Sequence, residues 1–297
     1  MSDKNERNTG LLLTLIAVLT ASFAPSLVKL GVDDTNNSVT LLMLRLLMAA
    51  GIFWVFYSIV QPAILKIDFR GILFTLLAGA VNSTGLLLFY LAIQYIDASV
   101  ATLLFSSYPL FTIIMLSLNG EIIHIRSLLY MGLSLFGIYL IVNVEGAFNI
   151  VGSLLVMGCS FGYALHLNIV QWKLSDYPAQ TSAIYIITFM AIITSMIWFF
   201  GPRSVSNIST DGWISIGGTA ILSTVITRLT LFAAIRKIGS SQVSFFGPLE
   251  ILLGVLWAVI FLGERLTLSQ WLGGLLILLS MVLIVQQGNV TSFKRNE

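Results

Sequence analysis

Four ionisable residues lie deep inside apolar runs of this sequence, and each brings its own chemistry. Glu250 sits midway along a run from about 240 to 262, and Arg228 two thirds of the way along one from 212 to 235. Arg45 lies about seven residues into a run from 38 to 60, and His166 falls toward the end of one from 149 to 172. A charge near the middle of a bilayer costs about 3 kcal/mol or more, so it faces a partner or a wet cavity. Glu250 suits two roles: lining a cavity where it binds an amino group or takes up a proton, or pairing with Arg228 to order two helices. Arg45 carries a planar fork that fits a carboxylate or phosphate, unless it snorkels to the headgroups, as Lys29 nearer the interface is expected to do. His166, among Tyr163, Asn168 and Gln171, is either a proton relay or a neutral hydrogen-bonding member of a helix interface.

Polar clusters and prolines extend the set. Asn82, Ser83 and Thr84 interrupt one apolar run, and Ser106, Ser107 and Tyr108 precede Pro109 in another. They are expected either to bind substrate where a broken helix exposes its carbonyls to a cavity or to bond neighbouring helices. Asn82 and Tyr108 are the members carried forward as substrate candidates. Pro25, Pro109 and Pro248 each remove a backbone hydrogen bond and are expected to kink their helices, as gates or as packing features. Gly158-Cys159-Ser160-Phe161-Gly162 is a GxxxG pattern that admits a second backbone closely, within the bundle or in a dimer.

The elements that must position these residues follow from composition. Of 297 residues, 57% are hydrophobic and 9% charged, against about 25% charged in soluble domains. A spanning helix needs about 20 apolar residues, so the chain has room for about ten and little else. Helices are expected near 10–31, 38–60, 71–95, 98–119, 126–145, 149–172, 178–200, 212–235, 240–262 and 269–287. The first is too long for a signal-peptide core and is followed by no small-residue cleavage site. Every linker is short, the longest running from Gly201 to Asp211.

If the N-terminus is cytoplasmic, that side gathers ten basic residues: Lys4, Arg7, Lys66, Arg70, Arg126, Lys173, Arg236, Lys237, Lys294 and Arg295. The other side holds three, Lys29, Arg203 and Arg265. This positive-inside bias puts both termini in the cytoplasm of a bacterial cell, with the chain in its inner membrane. The net charge of +2 gives no reason to expect nucleic acid. The single cysteine, Cys159, excludes an intramolecular disulfide, and no metal or cofactor site is expected. Enzyme signatures are missing too: there is no HExxH helix, GxSxG elbow or GxxxxGK loop. Ser26-Leu27-Val28-Lys29 spells SxxK only by chance, since the motifs that accompany it in acylating enzymes are absent.

The segment from Glu121 aligns without gaps on that from Glu264, with Leu129/Leu272, Leu133/Leu276, Leu135/Leu278, Leu140/Leu283, Ile141/Ile284 and Val142/Val285 identical. Five helices per repeat is an odd number, so the second repeat enters the membrane inverted. Inverted repeats build many secondary transporters, whose halves rock between inward-open and outward-open states.

With "FLGERLTLSQWLGGLLILLSMVLIV" closing the second half, the chain resembles the drug/metabolite transporter superfamily, EamA-type, from about Leu11 to Gln287. The resemblance rests on Leu262-Gly263-Glu264-Arg265-Leu266 ending the ninth helix and Gly120-Glu121 ending the fourth. Leu44-Arg45-Leu46, Lys29 and Pro109 add to it. The family often has Glu-Pro at the centre of its ninth helix, whereas this chain has Glu250-Ile251 with Pro248 two residues earlier. The resemblance implies an all-α membrane protein of ten helices in two inverted five-helix repeats. These are 10–145 and 149–287, between cytoplasmic tails 1–9 and 288–297. It implies a secondary active exporter of a small organic metabolite such as an amino acid, by alternating access. Protons or the substrate's own gradient would drive it, because there is no nucleotide site. A passive facilitator or channel is the alternative, and either a monomer or a homodimer is compatible.

Overall fold

In lipid the backbone has no water to bond, so an apolar run satisfies its N–H and C=O groups internally, as a helix. The computed structural model describes residues 2–35, 37–118, 125–142, 149–201, 208–244 and 246–288, and among these it is helical throughout, without strands. The order is α1 (Ser2–Ser22), α2 (Ala24–Thr35), α3 (Ser38–Val60), a 3₁₀ turn (Pro62–Leu65), α4 (Phe69–Ala92), α5 (Ala98–Phe105), α6 (Tyr108–Leu118) and α7 (Ile125–Val142). There follow α8 (Ile150–Lys173), α9 (Ala179–Phe200), α10 (Thr210–Ala220), a π-helical turn (Ile221–Ile226), α11 (Thr227–Ser244), α12 (Gly247–Leu262) and α13 (Leu268–Gly288).

Six helical stretches among the described residues are long and apolar enough to cross a membrane, and four shorter apolar ones accompany them. Val55, Ile59, Leu154, Phe200, Ile260 and Phe261 are among many large apolar side chains left on the outside. In water such a surface would drive association; in a bilayer it meets acyl chains.

The three prolines share one placement. Pro25, Pro109 and Pro248 are each the second residue of a new helical piece, after turns at Phe23, Ser106–Ser107 and Phe246. At the first turn a missing N–H costs nothing and the fixed φ helps. Each proline thus begins the piece that follows a break, and for Pro25 and Pro109 that break lies within one apolar helical stretch, Glu6–Val32 and Ala98–Thr112. The ninth helix accordingly begins at Gly247 and not near 240, because α11 stays helical through Gly239-Ser240-Ser241 to Ser244. The first helix reaches back to Ser2, across most of the segment expected as a tail.

The third helix is not interrupted. α4 is continuous through Asn82-Ser83-Thr84, whose two hydroxyls both donate to the Ala80 carbonyl of their own helix. Ser106 and Ser107 do stand at a break, donating to Leu103 O and Leu104 O. The GxxxG stretch packs inside the chain: a Cβ placed on Gly162 would lie 3.4 Å from Gly85 Cα of α4. Lys29 does not snorkel, and its Nζ donates to the carbonyl of Ile93 at the end of α4, 2.9 Å away.

Gly263, with φ of +69°, closes α12 in the left-handed conformation that glycine adopts without penalty. The turn it makes carries Glu264 back to α5. There Oε1 accepts from Ala98 N and Oε2 from Ser99 N, each at 2.8 Å. Asp97, at the N-cap position, makes no side-chain cap bond. A carboxylate from a different helix thus satisfies the orphan amides of α5 and meets the positive end of its dipole. Glu121, its counterpart in the sequence, lies outside the described residues.

Candidate functional site

A cavity of about 730 Å³ runs into the bundle between α1, α2, α3, α4, α5, α8, α9, the π-turn, α11 and α12. Its wall is largely apolar and aromatic, with few polar groups, the usual make-up of a small-molecule site. The charged residues on its lining are Arg45, Arg228 and Glu250. Asn82, His166 and Pro25 line it too, so six of the nine candidates meet on one cavity. Tyr108 stands one layer behind, its ring against Tyr163 at 5.1 Å, edge to face. Pro248 is not on the wall, and the side chain of Pro109 lies outside the described residues.

The three charges are held differently. Arg45 is 8% exposed. It donates from Nε and Nη2 to Thr224 Oγ1 at 3.3 and 3.2 Å, and from Nη1 to the Tyr90 hydroxyl at 3.1 Å. Burial and this clamp exclude snorkelling to the headgroups. Thr224 is available because the chain there is π-helical: its hydroxyl donates five residues back, to Thr219 O at 2.9 Å, leaving its lone pairs for the guanidinium. Such turns recur at functional sites.

Arg228 lies one helical turn beyond Thr224, on the same face. Glu250, in the first turn of α12, is exposed, and the surface it exposes is cavity wall. Arg228 is the charge that bears on Glu250. Among the described residues no ion pair within 4.0 Å joins them, and neither has a side-chain hydrogen bond. Of the two roles open to Glu250, a direct ion pair with Arg228 is not seen among the described residues, and both groups line the cavity.

His166 is buried, with Nδ1 3.1 Å from the carbonyl oxygen of Ala78. A carbonyl only accepts, so Nδ1 carries the proton and Nε2 of the neutral ring is left as an acceptor. Its ring stacks on Tyr163 at 6.0 Å, and Tyr163 meets Phe105 at 5.3 Å, in an aromatic wall that Phe89 extends. Asn82 Nδ2 lies 3.4 Å from Met190 Sδ on α9. Sequence reasoning missed Thr224 and Tyr90 as partners of Arg45. Neither spacing nor composition marks a π-turn, and an Arg with two uncharged partners on distant helices has no local signature.

The cavity reaches Leu174, Ser175 and Tyr177 in the turn after α8, where Ser175 is exposed. Outside the spans, the Tyr177 hydroxyl donates to Asp68 Oδ1 at 2.6 Å, and the same oxygen caps α4 through Gly71 N at 2.9 Å. The tyrosine bond, with the cap behind it, lowers the Asp68 carboxyl below its ordinary range and raises the phenol. At the other end the lining stops at Val28, Arg45 and Phe89. Beyond them Gln94 Nε2 donates to Ser38 Oγ, which donates to Tyr90 O, at 2.9 and 3.0 Å.

The EamA-like transporter family model matches residues 8–143 and again residues 150–286. This chain belongs to the EamA-like transporter family. It is accordingly a membrane transporter and not an enzyme, a multi-pass protein of the bacterial inner membrane whose partners are the lipid bilayer and a small-molecule substrate. A relative of this EamA-like chain is the uncharacterized transporter YcbK of Bacillus subtilis (strain 168), 23% identical over 282 residues that cover 90% of each chain. A solved crystal structure superposes with a TM-score of 0.65 over 96% of this chain and 99% of the other, at 13% identity, a likeness of fold alone.

Proposed function

We propose that this protein is a secondary active exporter of a small organic metabolite, with an amino acid as the first expectation, working by alternating access. The observation that carries the reading is the pair Glu250 and Arg228, opposite charges on a deep cavity that have no side-chain partner among the described residues. Charges left unpaired at membrane depth cost stability, and a substrate or proton that completes them at one stage of a cycle accounts for their presence.

The architecture behind the reading is ten spans in two inverted repeats, 10–145 and 149–287, with cytoplasmic tails 1–9 and 288–297. Two matches to one family model support it, as do six long and four shorter apolar segments. So does the crossing of α7 with α13. A Cβ on Gly137 would lie 2.7 Å from Gly273 O, and Ser280 Oγ donates to Tyr130 O at 2.7 Å. The shift that carries Glu121 to Glu264 turns one contact into the other.

An exporter loads its solute from the cytoplasm, and charge gives the side to which the cavity opens. The cavity reaches toward the end where Lys66, Arg70 and Lys173 gather, the cytoplasmic end by the positive-inside rule. Glu250 is the residue placed to take up a proton or an ammonium group, with Arg228 to receive the opposite charge. Asn82, His166 and Tyr163 are placed to orient the solute.

The test is uptake by proteoliposomes of a panel of amino acids and related metabolites, with and without a proton gradient, for wild type and Glu250→Gln. Saturable uptake that collapses in a folded mutant supports the reading. Unchanged uptake in the mutant removes Glu250 from the mechanism, and uptake linear in concentration makes the protein a facilitator.

A further inference from the structure

The geometry points to Arg45 as an oxyanion seat at the closed end of the cavity, and to a substrate that is a monocarboxylate with an apolar body. This replaces the amino acid first expected above by a monocarboxylate, and it rests on the carrier reading for the cavity being the transport site. A guanidinium has five N–H groups. Thr224 takes one from Nε and one from Nη2, and Tyr90 takes one from Nη1. One N–H on each terminal nitrogen remains, and among the described residues Arg45 has no further partner. The side chain is more than nine-tenths buried and lines the cavity. All its partners are uncharged, so they fix its position without cancelling its charge. The terminal nitrogens of a fixed, buried cation, each with an N–H to spare, suit the oxygens of a carboxylate.

The cavity's own charge agrees. Among the described residues its lining carries Arg45, Arg228 and Glu250 and no other Asp, Glu, Lys or Arg. With the carboxylate ionised the balance is one positive charge; with it protonated, two. A zwitterion leaves that excess in place, and a cation adds to it, whereas a monocarboxylate removes one charge. Next to this seat the wall is made by Phe89, Phe105 and Leu46, with Ile186 and Ile187 facing from α9. Phe89 and Phe105 meet edge to face at 6.0 Å. These surfaces have no hydrogen bonds to offer a polar tail, and they fit an aromatic or branched aliphatic one.

A matched series tests this on the purified full-length protein: 3-phenylpropionate, its neutral amide, 3-phenylpropylamine and L-phenylalanine share one apolar body and differ in charge. Calorimetric titration of wild type is expected to rank 3-phenylpropionate first, about tenfold tighter than the amide, as charge-assisted bonds in a buried site should give. Arg45→Lys, which keeps the charge and loses the fork, is expected to reduce that preference several-fold while binding the amide unchanged. Equal binding of acid and amide, stronger binding of the amine or of phenylalanine, or no binding by any of the four overturns the assignment on wild type alone, whatever the variant's folding. Proteoliposome uptake of the same series separates the two readings. Selective binding of the acid without uptake leaves the seat standing and removes the carrier; saturable uptake that favours the amine keeps the carrier and removes the seat.

Discussion

Two arginines on the wall of one cavity are held in opposite ways. Arg45 is locked by Thr224 and Tyr90 from two other helices, whereas Arg228 faces Glu250 with no hydrogen bond to hold either among the described residues. A buried group satisfied by neutral partners is a fixed feature, since moving it breaks three bonds at once. A pair of unsatisfied charges has little to lose by moving and much to gain from a ligand. The difference separates a rigid recognition element from groups free to change partners during a cycle.

The strongest way to break this comparison is to remove one of the free charges. Glu250→Gln or Arg228→Gln is expected to lower uptake by tenfold or more, about 1.4 kcal/mol at the least, while leaving the melting temperature of the purified protein within a few degrees of wild type. A large fall in melting temperature would instead make the pair structural. Thr224→Val should do the reverse, costing about 2 kcal/mol of stability in denaturant titration, because it strips two bonds from a buried guanidinium. If Thr224→Val is silent, Arg45 is not clamped as described.

Glu264→Ala exposes the amides of Ala98 and Ser99, and a cost of about 1 kcal/mol is expected, as for loss of a helix cap. The measurement is a thermal melt against Glu264→Asp, whose shorter arm should recover only part. The smallest effect concerns the open end. Asp68 has a lowered pKa when folded, so its contribution is present above about pH 4, the unfolded value, and is lost as pH falls through the folded value. Tyr177→Phe, which removes the largest cause, should melt below wild type at pH 7, with the gap closing in acid. A gap independent of pH would mean that the phenol acts through packing alone.

Much of the site was legible in the residues themselves. Glu250, Arg228, Arg45 and His166 stand out because a charge or imidazole inside an apolar run has to be accounted for, and all four reach one cavity. The prolines were legible as breaks but not as helix starts, and the Asn82-Ser83-Thr84 stretch looked like an interruption that α4 does not have. Hydroxyls can back-bond to their own helix, and single-residue types do not tell whether they will.

The sequence by itself determined that this chain lives in a membrane, that it is helical, and where most helices begin and end. Those outcomes depend on composition and on the length of apolar runs, which are local. Only the tertiary structure decided that Arg45 is clamped and not snorkelling, that Glu250 and Arg228 face a cavity without pairing, and that Glu264 caps α5. Each of those is a contact across more than 20 residues, in two cases more than 160. In a bundle whose helices are joined by short loops, which faces meet is set by how whole helices pack, and no run of neighbouring residues carries that information.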